Sequence, residues 1–207
     1  NKTFHKKLEQ IAEKNNLIGM SVLVVCNNQV EDIYHYGYSN IERKIKVNDS
    51  TLYRIASISK TITATAIMQL FEKKLLKLDD DISDYLGFKV INPYFPKSKI
   101  TFRMLLSHTS SLQDSVAYEN FLSVSFKQTP PPPIKELMVE GGKYNENNIW
   151  MNKKPGNYFI YCNMNYAILG TLVEKLSSQR FDRYVKNNIL NPLNINGSFN
   201  VQDINNI

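Results

Sequence analysis

Two apolar strands joined by a two-residue turn lie near the start of the 207-residue chain and limit what the rest can form. Residues 20–26 are a continuous apolar run, residues 30–38 are rich in aromatic side chains, and Asn27-Asn28 between them predicts a tight turn. An amphipathic helix is predicted over residues 4–14. A helix and a two-stranded hairpin are not stable alone, and no later stretch has comparable strand character. The hairpin therefore needs further strands.

The most distinctive motif follows this hairpin and is the Ser-x-x-Lys of Ser57 and Lys60. Residues 52–56 predict an extended approach to a long apolar helix that runs from Ser57 to about Lys74. Side chains three residues apart on a helix point the same way. The unpaired N–H groups and positive dipole of a helix start favour an oxyanion near Ser57 and disfavour a charged Lys60, so the lysine could take the serine proton. The alternative is a chance match, a helix start followed by a solvated lysine.

The remaining predicted elements are mainly helical. Residues 102–107 predict a short helix with Thr101 as its N-cap, and longer helices are predicted over 163–176 and 181–189. Loops or extended spacers are predicted at three places: residues 130–133 (four prolines), Gly141-Gly142 and residues 144–148.

Composition excludes several functional classes. The net charge is +6, but the basic residues form no run interleaved with aromatics, so a nucleic-acid partner is not predicted. No apolar run is long enough to span a membrane, and no signal peptide is visible, which predicts a cytosolic or already processed chain. Cys26 and Cys162 are far apart and show no metal-ligand spacing.

A second motif, Tyr161-Cys162-Asn163, directly precedes a predicted helix. The Tyr-x-Asn pattern also occurs at 38–40 and 118–120, so the three letters alone are not specific. Without further context Tyr161 would be interpreted as a packed core tyrosine and Asn163 as a helix N-cap.

Taken together, several stretches resemble the class C β-lactamase family within the serine β-lactamase and penicillin-binding protein superfamily, which also contains esterases and DD-peptidases. Residues 53–64 resemble its first motif, residues 154–170 resemble its second, and residues 100–112 are similar to a structural motif of the group. Residues 141–150 resemble the approach to the tyrosine motif in some esterase-like members. The likeness runs from near residue 1 to about residue 200, in the family's order.

The resemblance implies a β-lactamase/transpeptidase-like fold of the α+β class, with an antiparallel sheet, flanking helices and a mainly helical subdomain. Residues 1–50 would supply the first helix and hairpin of the sheet, which absent C-terminal strands would complete. Residues 51–200 would form the helical subdomain that carries both motifs. A periplasmic or extracellular location is also what the resemblance favours.

The resemblance also implies roles for single residues. Ser57 would be the nucleophile that becomes acylated, and its backbone N–H would supply half of an oxyanion hole. Lys60 would help to deprotonate Ser57, while Tyr161 would act as, or share, the general base. Asn163 would hydrogen-bond Lys60 and the substrate amide. No metal or organic cofactor is expected.

The family's third catalytic element, Lys-Thr/Ser-Gly or His-x-Gly, is not found after the tyrosine motif. The sequence His35-Tyr36-Gly37 matches it, but it precedes Ser57 and is interpreted as a coincidence. The chain reaches Ile207 before any such element, so we expect a fragment, or one chain of a cleaved protein, that a C-terminal segment or chain completes. The isolated piece is expected to show little or no turnover.

Three smaller departures concern single residues near the motifs. Cys162 occupies a position where a small residue is usual and is interpreted as a buried filler. Ser111 replaces a customary glycine in a turn, which is expected to shift a loop. His108 suggests a Ser-His pair, but the resemblance makes it structural and not a base.

The preferred hypothesis is a serine hydrolase that forms an acyl-enzyme on an amide, lactam or ester, with a small-molecule or peptide substrate. Residues 141–150 slightly favour an esterase or peptidase-like member over a dedicated β-lactamase. The alternative is a non-catalytic binding or assembly module on the same fold.

Overall fold

The chain divides into two compact units, Asn1–Arg54 and Ile55–Ile207, and the computed structural model describes residues 2–146 and 148–204 of them. The first unit consists of one helix and a three-stranded antiparallel sheet in the order β1-β2-β3. Its elements are α1 (Lys2–Lys14), β1 (Gly19–Cys26), β2 (Gln29–Asn40) and β3 (Ile45–Lys46).

The predicted hairpin is confirmed, including its turn. Asn27 and Asn28 have φ values of 49° and 60°, the left-handed conformation that two-residue hairpin turns require and that asparagine tolerates. Beyond the turn, Leu23 pairs with Ile33 in an antiparallel register. Because side chains alternate along a strand, such pairs share one face of the sheet. The aliphatic side chains exposed on the two strands of the hairpin are Leu23, Val25, Val30 and Ile33.

Polar contacts connect other parts of the first unit to β2. His5 on α1 bonds Asp32 through Nε2 at 2.8 Å, and its ring lies 4.8 Å from that of Tyr34. His35, the histidine of the His-x-Gly match, bonds Ser21 at 3.0 Å and Asp49 at 2.8 Å. These contacts give His35 a structural role inside the first unit.

The second unit is helical. Its α-helices are α2 (Ser59–Glu72), α3 (Ser83–Leu86), α4 (Phe102–Leu106), α5 (Val116–Ser125), α6 (Lys135–Met138), α7 (Asn163–Ser177) and α8 (Phe181–Val185). Shorter turns of 3₁₀ or π geometry lie at Ala56–Ile58, Lys186–Leu190 and Val201–Asp203. With the antiparallel sheet of the first unit, these helices confirm the predicted α+β class. The expected boundaries, 1–50 and 51–200, stay a prediction.

The core of the second unit forms where α2 packs against α7. Ile67 and Leu70 on α2, and Ile168 and Leu172 on α7, are almost completely buried. Removal of such apolar side chains from water is the main driving force for packing the two helices together. The two helices whose starts carry the sequence motifs are therefore held together by a buried apolar contact.

One expectation for the second unit needs correction, and one helix was not predicted. The helix predicted from Ser57 instead begins with a 3₁₀ turn at Ala56–Ile58, and α2 proper starts at Ser59. The segment after Ser111, for which no helix was predicted, contains α5, which is capped by the Ser115 hydroxyl accepting the N–H of Tyr118 at 3.4 Å. By contrast, the Thr101 cap of α4 is confirmed, since its hydroxyl accepts the N–H of Met104.

The described parts of the loop predicted over residues 144–148 carry no regular element, and residue 147 lies outside the described residues. Within residues 2–146 and 148–204, no helix combines the length and the apolar character needed to cross a membrane.

Candidate active site

Ser57 lies in the 3₁₀ turn immediately before α2, and Lys60 follows within the first turn of that helix. The Lys60 Nζ donates a hydrogen bond of 3.2 Å to Ser57 Oγ. The chain enters this turn through Ala56, whose φ of 44° is left-handed and unusual for a residue with a Cβ. The backbone thus adopts an unfavourable conformation next to the serine, which is common at functional sites.

Tyr161 comes from more than a hundred residues later and reaches the same oxygen. Its phenol donates a hydrogen bond of 2.7 Å to Ser57 Oγ, and the Lys60 Nζ lies 4.9 Å from the centre of its ring. Hydrogen bonding by Lys60, and secondly by Ser57, lowers the pKa of Tyr161 below the value of 10.0 usual for a phenol. The structure therefore brings together all three residues that the sequence predicts as catalytic.

Asn163 is the first residue of α7 and joins the same group. Its Oδ1 accepts a hydrogen bond of 2.7 Å from Lys60 Nζ. Lys60 is consequently held between Ser57, in the 3₁₀ turn just before its own helix, and Asn163 on α7. The contact predicted between Asn163 and Lys60 is present in the structure.

Asp114 is a site residue that the sequence analysis missed. Its carboxylate accepts hydrogen bonds from the backbone N–H of Asn163 (2.9 Å) and Met164 (3.1 Å), from the Asn163 side-chain Nδ2 (2.7 Å), and from Cys162 Sγ (3.3 Å). The N-cap position of α7 is Cys162, whose side chain makes no capping bond. Asp114 therefore caps α7 from another segment, and Asn163 is a helical residue instead of the N-cap considered above.

The segment before Tyr161 is held in place by backbone bonds to the loop that follows α4. Gly156 N–H donates to Thr109 O at 2.8 Å, and Ile160 N–H donates to His108 O at 3.0 Å. Gly156 has a φ of 90°, and a Cβ there would come within 3.2 Å of Met104 Cε. Because Ile160 directly precedes Tyr161, this backbone pairing fixes where the phenol emerges.

His108 contacts both the ring of Tyr161 and the backbone of the tyrosine motif. Its ring stacks on that of Tyr161, with centroids 4.6 Å apart, and its Nδ1 accepts the backbone N–H of Cys162 at 3.2 Å. Burial, and then the charge of Lys60, lower the pKa of His108, so the ring is neutral at pH 7. With Nδ1 already accepting a hydrogen bond from a backbone N–H, the ring is arranged as a support; that it does not act as a base stays a prediction.

Ser111 adopts the left-handed conformation that the usual glycine would take, with a φ of 70°. Its Oγ lies 2.6 Å from Lys153 O and 3.0 Å from Met151 O, and it accepts a bond of 2.9 Å from Asn92 Nδ2. The serine keeps the glycine-like conformation and adds buried hydrogen bonds to it. Cys162, the other departure, is fully buried as expected.

Taken together, the side chains form a hydrogen-bonded cluster that suits acyl transfer. A serine hydroxyl, a phenol with a lowered pKa and an amine lie within direct contact of one another. Serine becomes a good nucleophile when a neighbouring group removes its proton. Among the described residues, no group of three or more His, Cys, Asp or Glu side chains is arranged to hold a metal ion.

An α+β fold that brings a serine, a lysine and a tyrosine together at two helix starts is the arrangement of the serine β-lactamase and penicillin-binding protein superfamily. The chain belongs to the beta-lactamase family, whose model matches residues 4–204. At the level of the family, this indicates a function of the serine-hydrolase type.

Individual relatives agree with this assignment. The chain is 30% identical over 188 residues to protein flp of Staphylococcus aureus strain MRSA252, covering 91% of this chain and 36% of flp. It is also similar to the octameric penicillin-binding protein homologue from Pyrococcus abyssi, with a TM-score of 0.75, 28% identity and coverage of 92% of this chain and 42% of that one. For the penicillin binding protein from Bacillus halodurans, the TM-score is 0.66 at 27% identity, covering 89% and 52%. The chain thus spans about a third to a half of the length of these proteins.

Proposed function

We propose that the protein containing this chain is a serine acyl hydrolase that works through an acyl-enzyme on Ser57. The observation that carries the proposal is the double contact at Ser57 Oγ, 2.7 Å from the Tyr161 hydroxyl and 3.2 Å from Lys60 Nζ. A general base must lie within about 2.6–3.2 Å of the atom whose proton it takes, and both groups meet this requirement.

In the proposed reaction, Tyr161 acts as a phenolate stabilised by Lys60 and takes the Ser57 hydroxyl proton. Ser57 Oγ then forms a bond to the carbonyl carbon of the substrate, and the carbon–leaving-group bond breaks. The new phenol of Tyr161 returns its proton to the departing nitrogen or oxygen. Water attacks the acyl-serine in a second step that uses the same base, which regenerates Ser57 and releases the acid.

The substrate class proposed is a carbonyl compound whose carbonyl carbon carries a nitrogen or oxygen leaving group, namely an amide, a lactam or an ester. Asn163 is proposed to bind the substrate amide while it holds Lys60, and the Ser57 N–H to bind the developing oxyanion. The slight preference for an esterase or peptidase gains no further support from residues 141–150, because Trp150 is buried and pairs with Leu112. The choice among the three carbonyl classes therefore rests on the assay.

The test is covalent labelling of the full-length protein with a fluorophosphonate probe and with a fluorescent penicillin, followed by intact mass. We expect a single adduct on Ser57 that is lost in Ser57→Ala. Ser59→Ala is the matched control, since Ser59 lies two residues away on α2 and is expected to leave labelling intact. If neither probe labels the wild-type protein, or if Ser57→Ala is labelled equally, the proposal is wrong and the non-catalytic module is favoured.

A further inference from the structure

Asp114 makes an unusual set of contacts for a partly exposed carboxylate, because all of them converge on three consecutive residues. One oxygen accepts the backbone and side-chain N–H groups of Asn163, and the other accepts Met164 N–H and Cys162 Sγ–H. The backbone contacts amount to a helix cap, which any acceptor at this place would supply. The contact to the Asn163 side chain is different, since capping does not require it.

That side-chain contact decides which way the Asn163 amide faces. An amide has a donor end and an acceptor end, and their assignment follows from the partners around it. Asp114 is an acceptor at 2.7 Å, so it takes the Nδ2 end. The Oδ1 end must then face the opposite side, where it receives the hydrogen bond of Lys60 Nζ at 2.7 Å.

We propose that Asp114 is a positioning residue of the active site, which fixes the amide orientation of Asn163 and through it holds Lys60 against Ser57. This inference rests on the proposed function, because it concerns the reactivity of Ser57. Without Asp114 the amide is free to turn its donor end towards the Lys60 amine. Two donors would then face each other, and Lys60 would lose an anchor that keeps it 3.2 Å from Ser57 Oγ.

Whether Asp114 only caps α7 or also orients Asn163 can be decided by comparing the effect of Asp114→Ala in the presence and absence of the Asn163 side chain. Removing the Asn163 side chain leaves both backbone N–H groups in place, so the capping part of the Asp114 contacts survives in Asn163→Ala. The amide that Asp114 orients is absent from that variant. An effect of Asp114 on stability should therefore persist in the Asn163→Ala background, whereas an effect on reactivity through Asn163 should vanish.

The experiment is a double-mutant cycle on the full-length protein, with Asp114→Ala, Asn163→Ala and the combination of both. Its readouts are the rate constant for labelling of Ser57 by the fluorophosphonate probe and the Tm of each variant. We expect Asp114→Ala to slow labelling about tenfold or more in the wild-type background and less than about twofold in Asn163→Ala. A drop in Tm should persist in the Asn163→Ala background, because both capped backbone N–H groups remain there. Asp84→Asn, an exposed aspartate on α3, serves as the control and should leave labelling unchanged.

Equal slowing by Asp114→Ala in both backgrounds would assign Asp114 to capping alone and overturn the inference. So would an unchanged labelling rate in the single variant. These results differ from failure of the proposed function, in which wild-type Ser57 is not labelled at all and the inference falls with it.

Discussion

Replacing Tyr161 by phenylalanine removes the hydroxyl that lies 2.7 Å from Ser57 Oγ and keeps the ring that stacks on His108. Because that hydroxyl is the proposed general base, we expect acylation of Ser57 to slow strongly. Tyr161 remains 46% exposed, and its ring packing is unchanged by the substitution, so the free energy of unfolding should change little. The variant thus separates reactivity from stability.

The expected size of the effect follows from the contacts at Ser57. A positioned general base contributes about 10²- to 10⁴-fold, which corresponds to about 3–5 kcal/mol in the activation free energy. Lys60 keeps its own 3.2 Å contact with Ser57 Oγ in the variant, so it can still take the serine proton as a less effective base. We therefore expect a loss near the lower end, about 10²- to 10³-fold.

The pH dependence gives a second signature of the same residue. Lys60 and Ser57 lower the pKa of Tyr161, and the base is the deprotonated form. The labelling rate of the wild-type protein should therefore rise with pH, with a midpoint below the ordinary tyrosine value of 10.0. Tyr161→Phe should lose this rise.

The assay is stopped-flow labelling of the full-length protein by a fluorophosphonate probe between pH 5 and pH 10, at about one-unit intervals that resolve a single titration. Tyr158→Phe is the matched control, because Tyr158 lies three residues earlier and its ring contacts Lys153 instead of Ser57. Retention of more than about a tenth of the wild-type rate in Tyr161→Phe, together with an unchanged pH profile, would refute the assignment of the base.

Three further expectations concern stability and reactivity elsewhere. Ser111→Gly relieves the strain of a left-handed φ but deprives the buried Asn92 of a hydrogen-bond partner, so the free energy of unfolding measured in urea should fall by about 1 kcal/mol. Ser111→Ala should lower it further, because alanine keeps the strain as well. A glycine variant more stable than wild type would contradict this expectation. Leu172→Ala empties a fully buried position between helices and should lower the free energy of unfolding by about 2–5 kcal/mol in the same assay, whereas a loss below about 1 kcal/mol would place Leu172 outside the packed core. Burial raises the pKa of Cys162 to about 12, so iodoacetamide at pH 8 should alkylate the exposed Cys26 and spare Cys162 until the protein is unfolded; peptide mass analysis that finds Cys162 alkylated in the native protein would be the contrary result.

Local sequence patterns predicted those parts of the fold that depend on local interactions. The hairpin follows from a run of apolar residues, an aromatic-rich run and two asparagines that tolerate a left-handed turn. The cap of α4 follows from Thr101 at the right place before an apolar helix. The cluster at Ser57 is different, because Tyr161 is 104 residues away and no spacing rule relates the two. Only the resemblance to a known family predicted that they would meet.

Asp114 could not be found by scanning for motifs, because its partners lie in a helix that begins about fifty residues later. One indirect signal was present. The residue before α7 is Cys162, which is a poor N-cap, so the first N–H groups of a long and well-packed helix needed an acceptor from another segment. Asp114, a charged residue in a stretch with no predicted helix, was a reasonable candidate for that acceptor. The sequence around Asp114 does not indicate which helix it caps.

The left-handed angles at Ala56 and His108 were equally hidden, since neither position is a glycine, and at Ser111 only the resemblance to the family pointed to a glycine-like turn. Side chains with a Cβ adopt such angles only where the surrounding structure imposes them. Here the imposed contacts are tertiary, such as the bonds of Ser111 to Asn92 and Lys153. A sequence pattern reflects the backbone conformation that each residue type prefers, and these residues adopt a conformation that their type disfavours.

Ala56 has a consequence for how such a protein could be evolved in the laboratory. Its φ of 44° costs an alanine about 1–2 kcal/mol, and a glycine would remove most of that cost. The same glycine would also widen the range of directions in which the adjoining serine can point. Selection for thermal stability would then favour glycine at position 56, whereas selection for fast turnover would favour alanine. A screen for thermal stability alone would therefore enrich variants with a low turnover rate.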